Sequence, residues 1–128
     1  MERGVEIFAA LMYFALGLSH IVQPRAWAEL FLLLKSQGKA GMFVDGFANL
    51  LLGAIIVSFH NVWHGLAIVV TIIGWGQTIK GLRILVFPQT HLNQIERRIT
   101  LERAWGFVPA GAMLVALSFL FAYIAFTR

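Results

Sequence analysis

The sequence predicts an all-α integral membrane protein: a four-transmembrane-helix bundle with two short interfacial amphipathic helices in its cytoplasmic connectors. Three observations predict it. The 128-residue chain is 59% apolar and only 12% charged, against about 45–50% and about 25% in a soluble domain. That leaves too little polar surface to cover a water-soluble globule. Four long apolar stretches recur, each able to cross a hydrocarbon core of roughly 30 Å at about 1.5 Å per residue. They occupy most of the chain and leave one domain, 1–128. The basic residues sit beside these stretches, not on a separate polar region.

The first span covers about 4–22 and stops before Pro24, which cannot continue a helix interior and restricts the residue ahead of it. Glu2 and Glu6 make its start acidic, no A-x-A cleavage pattern follows, and further spans come after, so it reads as a retained helix and not a signal peptide. In the first connector, Arg25 to Ser36, Trp27, Leu30, Phe31 and Leu34 fall at helical spacing, with Arg25, Glu29 and Lys35 elsewhere on the turn. That pattern predicts a helix lying in the interface plane. The second span, 42–59, ends in the short segment His60 to Gly65, and the third, 65–86, follows almost at once, which predicts a tight helical hairpin. After Pro88, Leu92, Ile95 and Ile99 recur among Asn93, Glu96, Arg97, Arg98 and Glu102 and repeat the interfacial pattern. The fourth span covers 104–126.

Basic residues flanking short loops are retained on the cytoplasmic side. Arg25, Lys35, Lys39, Lys80, Arg83, Arg97, Arg98 and Arg103 share the face of the two long connectors, whereas Arg3 and Arg128 lie on the other. Both termini and the His60–His64 turn are therefore expected outside, in a cell (inner) membrane. With a net charge of +4, the expected anionic partner is the phospholipid bilayer and not nucleic acid. The absence of cysteine excludes disulfides and thiolate chemistry. A candidate internal repeat aligns Gly17–Pro24 with Gly81–Pro88 at a shift of 64, which would make each 64-residue half a span, an interfacial helix and a span. Such repeats are related by an axis along the membrane normal.

Polar residues inside spans are costly and point to function. At the cytoplasmic end they are His20, Asp45, Asn49, Gln77, Lys80 and Arg83. Asp45 and Asn49 share one helix face and Gln77 and Lys80 another, so an Asp45–Lys80 ion pair flanked by amides is expected. These parts suit an anionic headgroup or a small polar solute. The plainer reading has Lys80 and Arg83 snorkelling to the interface while Asp45 and Asn49 satisfy the start of span two. At the outer end, Glu6 would meet His60 and His64, four apart at the end of span two. Two imidazoles and a carboxylate match a divalent metal site such as Zn²⁺, or a titrating pair. His20 lies at the opposite face, so no transmembrane pair of haem ligands forms, and the sequence names no cofactor.

Gly74, Gly76, Gly81 and Thr78 in span three, and Ala112 and Ala116 in span four, supply small-residue faces for close helix approach within the bundle or between subunits. Trp63 and Tyr123 mark the outer interface and Trp27 and Trp105 the inner one, while Trp75 is expected to pack against helices. No catalytic motif is present. In length and span count the chain is similar to the small multidrug transporters, which work as dimers. Those need a carboxylate deep in the first span, whereas Glu6 lies near its end, so the likeness assigns no family. The sequence therefore points first to a small membrane protein acting by homo-oligomerisation or as an accessory subunit of a membrane complex. The alternatives are a small transporter or lipid- or solute-binding protein with a cytoplasmic-side polar site, and a metal- or proton-responsive protein.

Overall fold

Two prolines punctuate the chain in the same way. In the computed structural model, which describes residues 1–127, α1 (Glu2–Val22) breaks at Gln23 and α2 (Pro24–Ser36) begins on the proline. Likewise α4 (Ile68–Val86) breaks at Phe87 and α5 (Pro88–Arg98) begins on Pro88. Gln23 has φ −126° and ψ 55°, and Phe87 has φ −125° and ψ 64°. Each closes the preceding helix with an N–H···O bond of 2.8 Å, to Ser19 and to Arg83. The proline supplies the first helical position, where no donor is needed, and pushes its predecessor out of the α region.

The remaining elements are α3 (Lys39–Phe59) and α6 (Phe107–Thr127), the latter entered through a 3-10 helix at Leu101–Gly106. Among the described residues there is no strand, and α1, α3, α4 and the Leu101–Thr127 stretch are long and apolar enough to cross a membrane. Span four was expected as one α-helix from 104; instead its first turns are 3-10. There the Thr100 hydroxyl accepts from the Arg103 N–H at 3.2 Å and caps the turn, and Pro109 falls in the first turn of α6 proper.

The bundle consists of two intimate antiparallel pairs, α1 with α6 and α3 with α4. Small residues bring the backbones together. A Cβ on Gly17 would come within 2.7 Å of the Gly111 carbonyl and 2.8 Å of the Val115 side chain, and one on Gly111 within 2.7 Å of the His20 Cβ, with Ile21 beside it. In the other pair Gly81 lies against Leu50, Gly46 against Ile84 and Leu85, and Gly74 against Ile56. Gly74 and Thr78 thus serve contacts inside the bundle. Ala112 and Ala116 face outward.

The two pairs join at the end that carries the α3–α4 turn, through a core of Val5, Ala9, Tyr13, Ile56, Phe121 and Ile124. At the other end the connector helices hold them: Met42, Ile84 and Ile95 are buried together, with Phe31, Leu34 and Leu92 packed on them. Elsewhere the surface is a belt of large apolar side chains, including Leu11, Phe43, Phe47, Ile72, Ile79 and Phe119, far beyond what a water-soluble monomer exposes. Trp75 belongs to this surface and not to a helix interface. It is 40% exposed, and its indole N–H donates to Asn61 Oδ1 at 3.1 Å.

Candidate functional site

Between the helix pairs, at the connector end, the bundle opens into a cavity of about 360 Å³. It gathers five of the six residues expected there: His20 from α1, Asp45 and Asn49 from α3, and Gln77 and Lys80 from α4. A continuous hydrogen-bond chain runs along the α3–α4 wall. Gln77 Nε2 donates to Asn49 Oδ1 at 2.7 Å, and Asn49 Nδ2 donates to Asp45 Oδ1 at 3.1 Å. The other carboxylate oxygen, Oδ2, accepts from His91 Nε2 at 2.6 Å.

Asp45 therefore pairs with His91, not with Lys80 as the spacing suggested. Helix α5 folds back against α3 and α4 and delivers an imidazole to the carboxylate. Among the described residues Lys80 pairs with no carboxylate, so its positive charge is left for the cavity. The opposite wall is aromatic and apolar. Trp27 stacks on His20 with ring centres 4.1 Å apart, and its indole N–H donates to Ser19 Oγ at 2.8 Å, which fixes the ring. His20 Nδ1 donates to the Leu16 carbonyl at 2.6 Å, and Tyr13, Phe31 and Leu114 complete that wall. Arg83 stands apart, in a groove behind the cavity.

The other end holds a second polar cluster, in which Glu6 and His60 meet as expected. His60 Nε2 lies 2.8 Å from Glu6 Oε2, and both side chains are 0% exposed. His60 Nδ1 lies 2.9 Å from Thr71 Oγ1, which also accepts from the Val62 N–H at 3.1 Å and reaches the Val62 carbonyl at 2.9 Å. With the Thr71 hydroxyl donating to Val62 O, Nδ1 donates to Thr71, and a single hydrogen bond joins Nε2 to Oε2, so the buried imidazole and carboxyl partner one another.

His64 does not join them. Helix α3 ends at Phe59, His60 is extended at φ −142° and ψ 93°, and Asn61 turns its side chain back onto the Val57 carbonyl. His60 and His64 thus share no helix face. His64 is exposed and lines a separate groove with Gly65 and Ile124. Among the described residues no group of three or more His, Asp or Glu side chains could hold a metal ion, so the expected Glu6, His60 and His64 ligand set does not assemble.

Two participants carried no usable sequence signal. His91 sits in a connector helix whose placement over Asp45 is a tertiary outcome. Thr71 is a lone hydroxyl in an apolar run; only its place in the first turn after the loop holding His60 marks it out.

Fold and site together define an all-helical bundle with four helices of membrane-crossing length and apolarity, a polar cavity at one end and a buried carboxylate–imidazole pair at the other. Compared with known proteins, the chain matches no family model, no curated protein and no solved structure.

Proposed function

We propose that the protein is a four-span integral membrane protein that binds and carries a small amphipathic solute in the cavity between its helix pairs. The observation that carries this is the cavity itself. Its volume of about 360 Å³ lies within the usual range for ligand sites, about 300–1,000 Å³, and a few convergent polar groups sit in an otherwise apolar lining. An acidic or strongly polar head would lie toward Lys80 and Gln77. The apolar body would lie on Tyr13, Trp27 and Phe31. The eight-to-two distribution of basic residues supports a reading in which this end and both connector helices are cytoplasmic and the two connectors lie in the interface.

The repeat reading supports the same site. A shift of 64 takes Gly17, His20 and Ile21 onto Gly81, Ile84 and Leu85, and a shift of 65 takes Gly46 and Leu50 onto Gly111 and Val115. Under those shifts the contacts of Gly17 with Val115 and of Gly111 with His20 and Ile21 become those of Gly81 with Leu50 and of Gly46 with Ile84 and Leu85. The cavity lies between the halves. Its lining pairs Tyr13 with Gln77, Leu16 with Lys80 and Leu114 with Asn49, and the interface between repeats is where transporters of this architecture bind substrate.

Assembly through the outward face of Ala112 and Ala116 is the second reading, favoured by their exposure on α6. Native mass spectrometry of the protein released gently from its own membrane separates the two. The solute reading expects a small retained mass that is lost in Gln77→Leu and Lys80→Met; no retained mass, or the same mass in both variants, overturns it. A co-purifying chain in place of a small mass supports assembly.

A further inference from the structure

Behind the cavity, α4, α5 and the start of α6 enclose a groove of about 550 Å³. Four cations line it: Lys80 and Arg83 from α4, Arg98 from α5 and Arg103 from the 3-10 helix. No carboxylate lines it, and its floor is apolar, made by Ile95, Ile99 and Phe107. One further feature separates it from an ordinary basic surface. His91 also lines the groove, and with Nε2 bonded to Asp45 its Nδ1 is buried without a hydrogen-bond partner. A buried ring nitrogen left unbonded is costly unless a ligand supplies the partner.

We propose that this groove holds the phosphate headgroup of an anionic membrane phospholipid, with the first part of its acyl chains on Ile95, Ile99 and Phe107. The charges fit a phosphodiester: Arg98 and Arg103 present forked donors suited to its oxygens, while Lys80 and Arg83 add point and planar charge from the other side. A lipid headgroup seated there supplies the partner that Nδ1 lacks while Nε2 stays on Asp45. The apolar floor selects a lipid over a free anion, because inorganic phosphate would leave it exposed to water. Basic pockets between helices at the cytoplasmic face take such headgroups elsewhere. Lys80 lines both the groove and the solute cavity, so the lipid phosphate lies next to the bound solute. The inference rests on the membrane reading of the chain and not on the identity of the solute.

The test uses the full chain in phosphatidylcholine vesicles doped with phosphatidylglycerol, with retained lipid counted by native mass spectrometry. Arg98→Gln with Arg103→Gln removes two groove charges. Arg25→Gln with Lys39→Gln removes two charges from the same end of the molecule but outside the groove. The wild type is expected to retain phosphatidylglycerol in preference to phosphatidylcholine. At about fivefold per basic residue near a headgroup, the groove variant loses about twenty-five-fold of that preference while the control keeps it. The proposal is overturned by equal losses in both variants, by no headgroup preference in the wild type, or by retention of inorganic phosphate in pure phosphatidylcholine in place of lipid. Failure of the chain to float with the vesicles at all rejects the membrane reading itself, a separate result.

Discussion

Removing one partner of the buried Glu6–His60 pair should be far more damaging than removing both. The pair is 0% exposed, and His60 makes two hydrogen bonds, at 2.8 Å to Glu6 and 2.9 Å to Thr71. In His60→Leu the Glu6 carboxyl loses its imidazole partner, and the Thr71 hydroxyl loses a donor. Hydrogen bonds to charged groups contribute about 1.5–3 kcal/mol, and an orphaned buried charge raises the cost of breaking such a pair to about 3–5 kcal/mol. Glu6→Met should cost about as much by leaving His60 unmatched. The double variant replaces the pair with apolar side chains of similar volume, and Thr71 keeps both its Val62 contacts. Its stability should fall within about 2 kcal/mol of wild type. The coupling is then at least about 4 kcal/mol, from a double-mutant cycle measured by denaturant titration in mixed micelles. Trp63 and Trp75, near the same end of the bundle, report by fluorescence. Additivity within about 0.5 kcal/mol would refute the assignment of these residues as one hydrogen-bonded unit.

Three further outcomes follow from the packing and the hydrogen bonds. Thr71→Val strips the acceptor from the Val62 N–H and from His60 Nδ1, so it should cost about 1–3 kcal/mol and speed amide exchange at Val62. Gly17→Ala forces a methyl into the Gly111 carbonyl and Val115 and should destabilise by about 1–3 kcal/mol; Gly76→Ala, where a Cβ meets nothing within 4 Å, should be neutral or slightly stabilising in the same thermal melt. Asp45→Asn removes the carboxylate that joins His91 to Asn49 and is expected to lower the retained solute mass while helicity by circular dichroism stays unchanged.

Features set by local chemistry were legible in the sequence. Pro24 and Pro88 end spans because the ring acts on its nearest neighbours, and the apolar runs dictate helices whatever packs on them. The meeting of Glu6 with His60 was legible too, since it needs only that spans one and two run antiparallel. What failed was extrapolation of helical periodicity past its end. The His60–His64 spacing has meaning only on a helix, and α3 stops at Phe59, where Asn61 takes up the Val57 carbonyl and His60 turns inward to Glu6. Asp45 was matched to Lys80 by span spacing alone. The competing imidazole of His91 comes from a connector whose course over the bundle no periodicity describes.

Each intimate pair in the bundle draws one helix from each half of the chain: α1 with α6, and α3 with α4. If the halves are equivalent units, neither can satisfy its small-residue faces alone, because Gly17 needs Gly111 and Gly81 needs Leu50. The turn between His64 and Gly65 is exposed, with Gly65 at φ 65°, so cutting there breaks no buried contact of the residues at the cut. Residues 1–64 and 65–128 expressed as separate chains should therefore reassemble in the membrane. A tag on one half should recover the other in equal amount with the cavity's retained mass intact, and either half expressed alone should be degraded. Recovery of one half as a stable, protease-resistant monomer would show that a half closes its own helix faces, and the two-unit account of the bundle would fall with it.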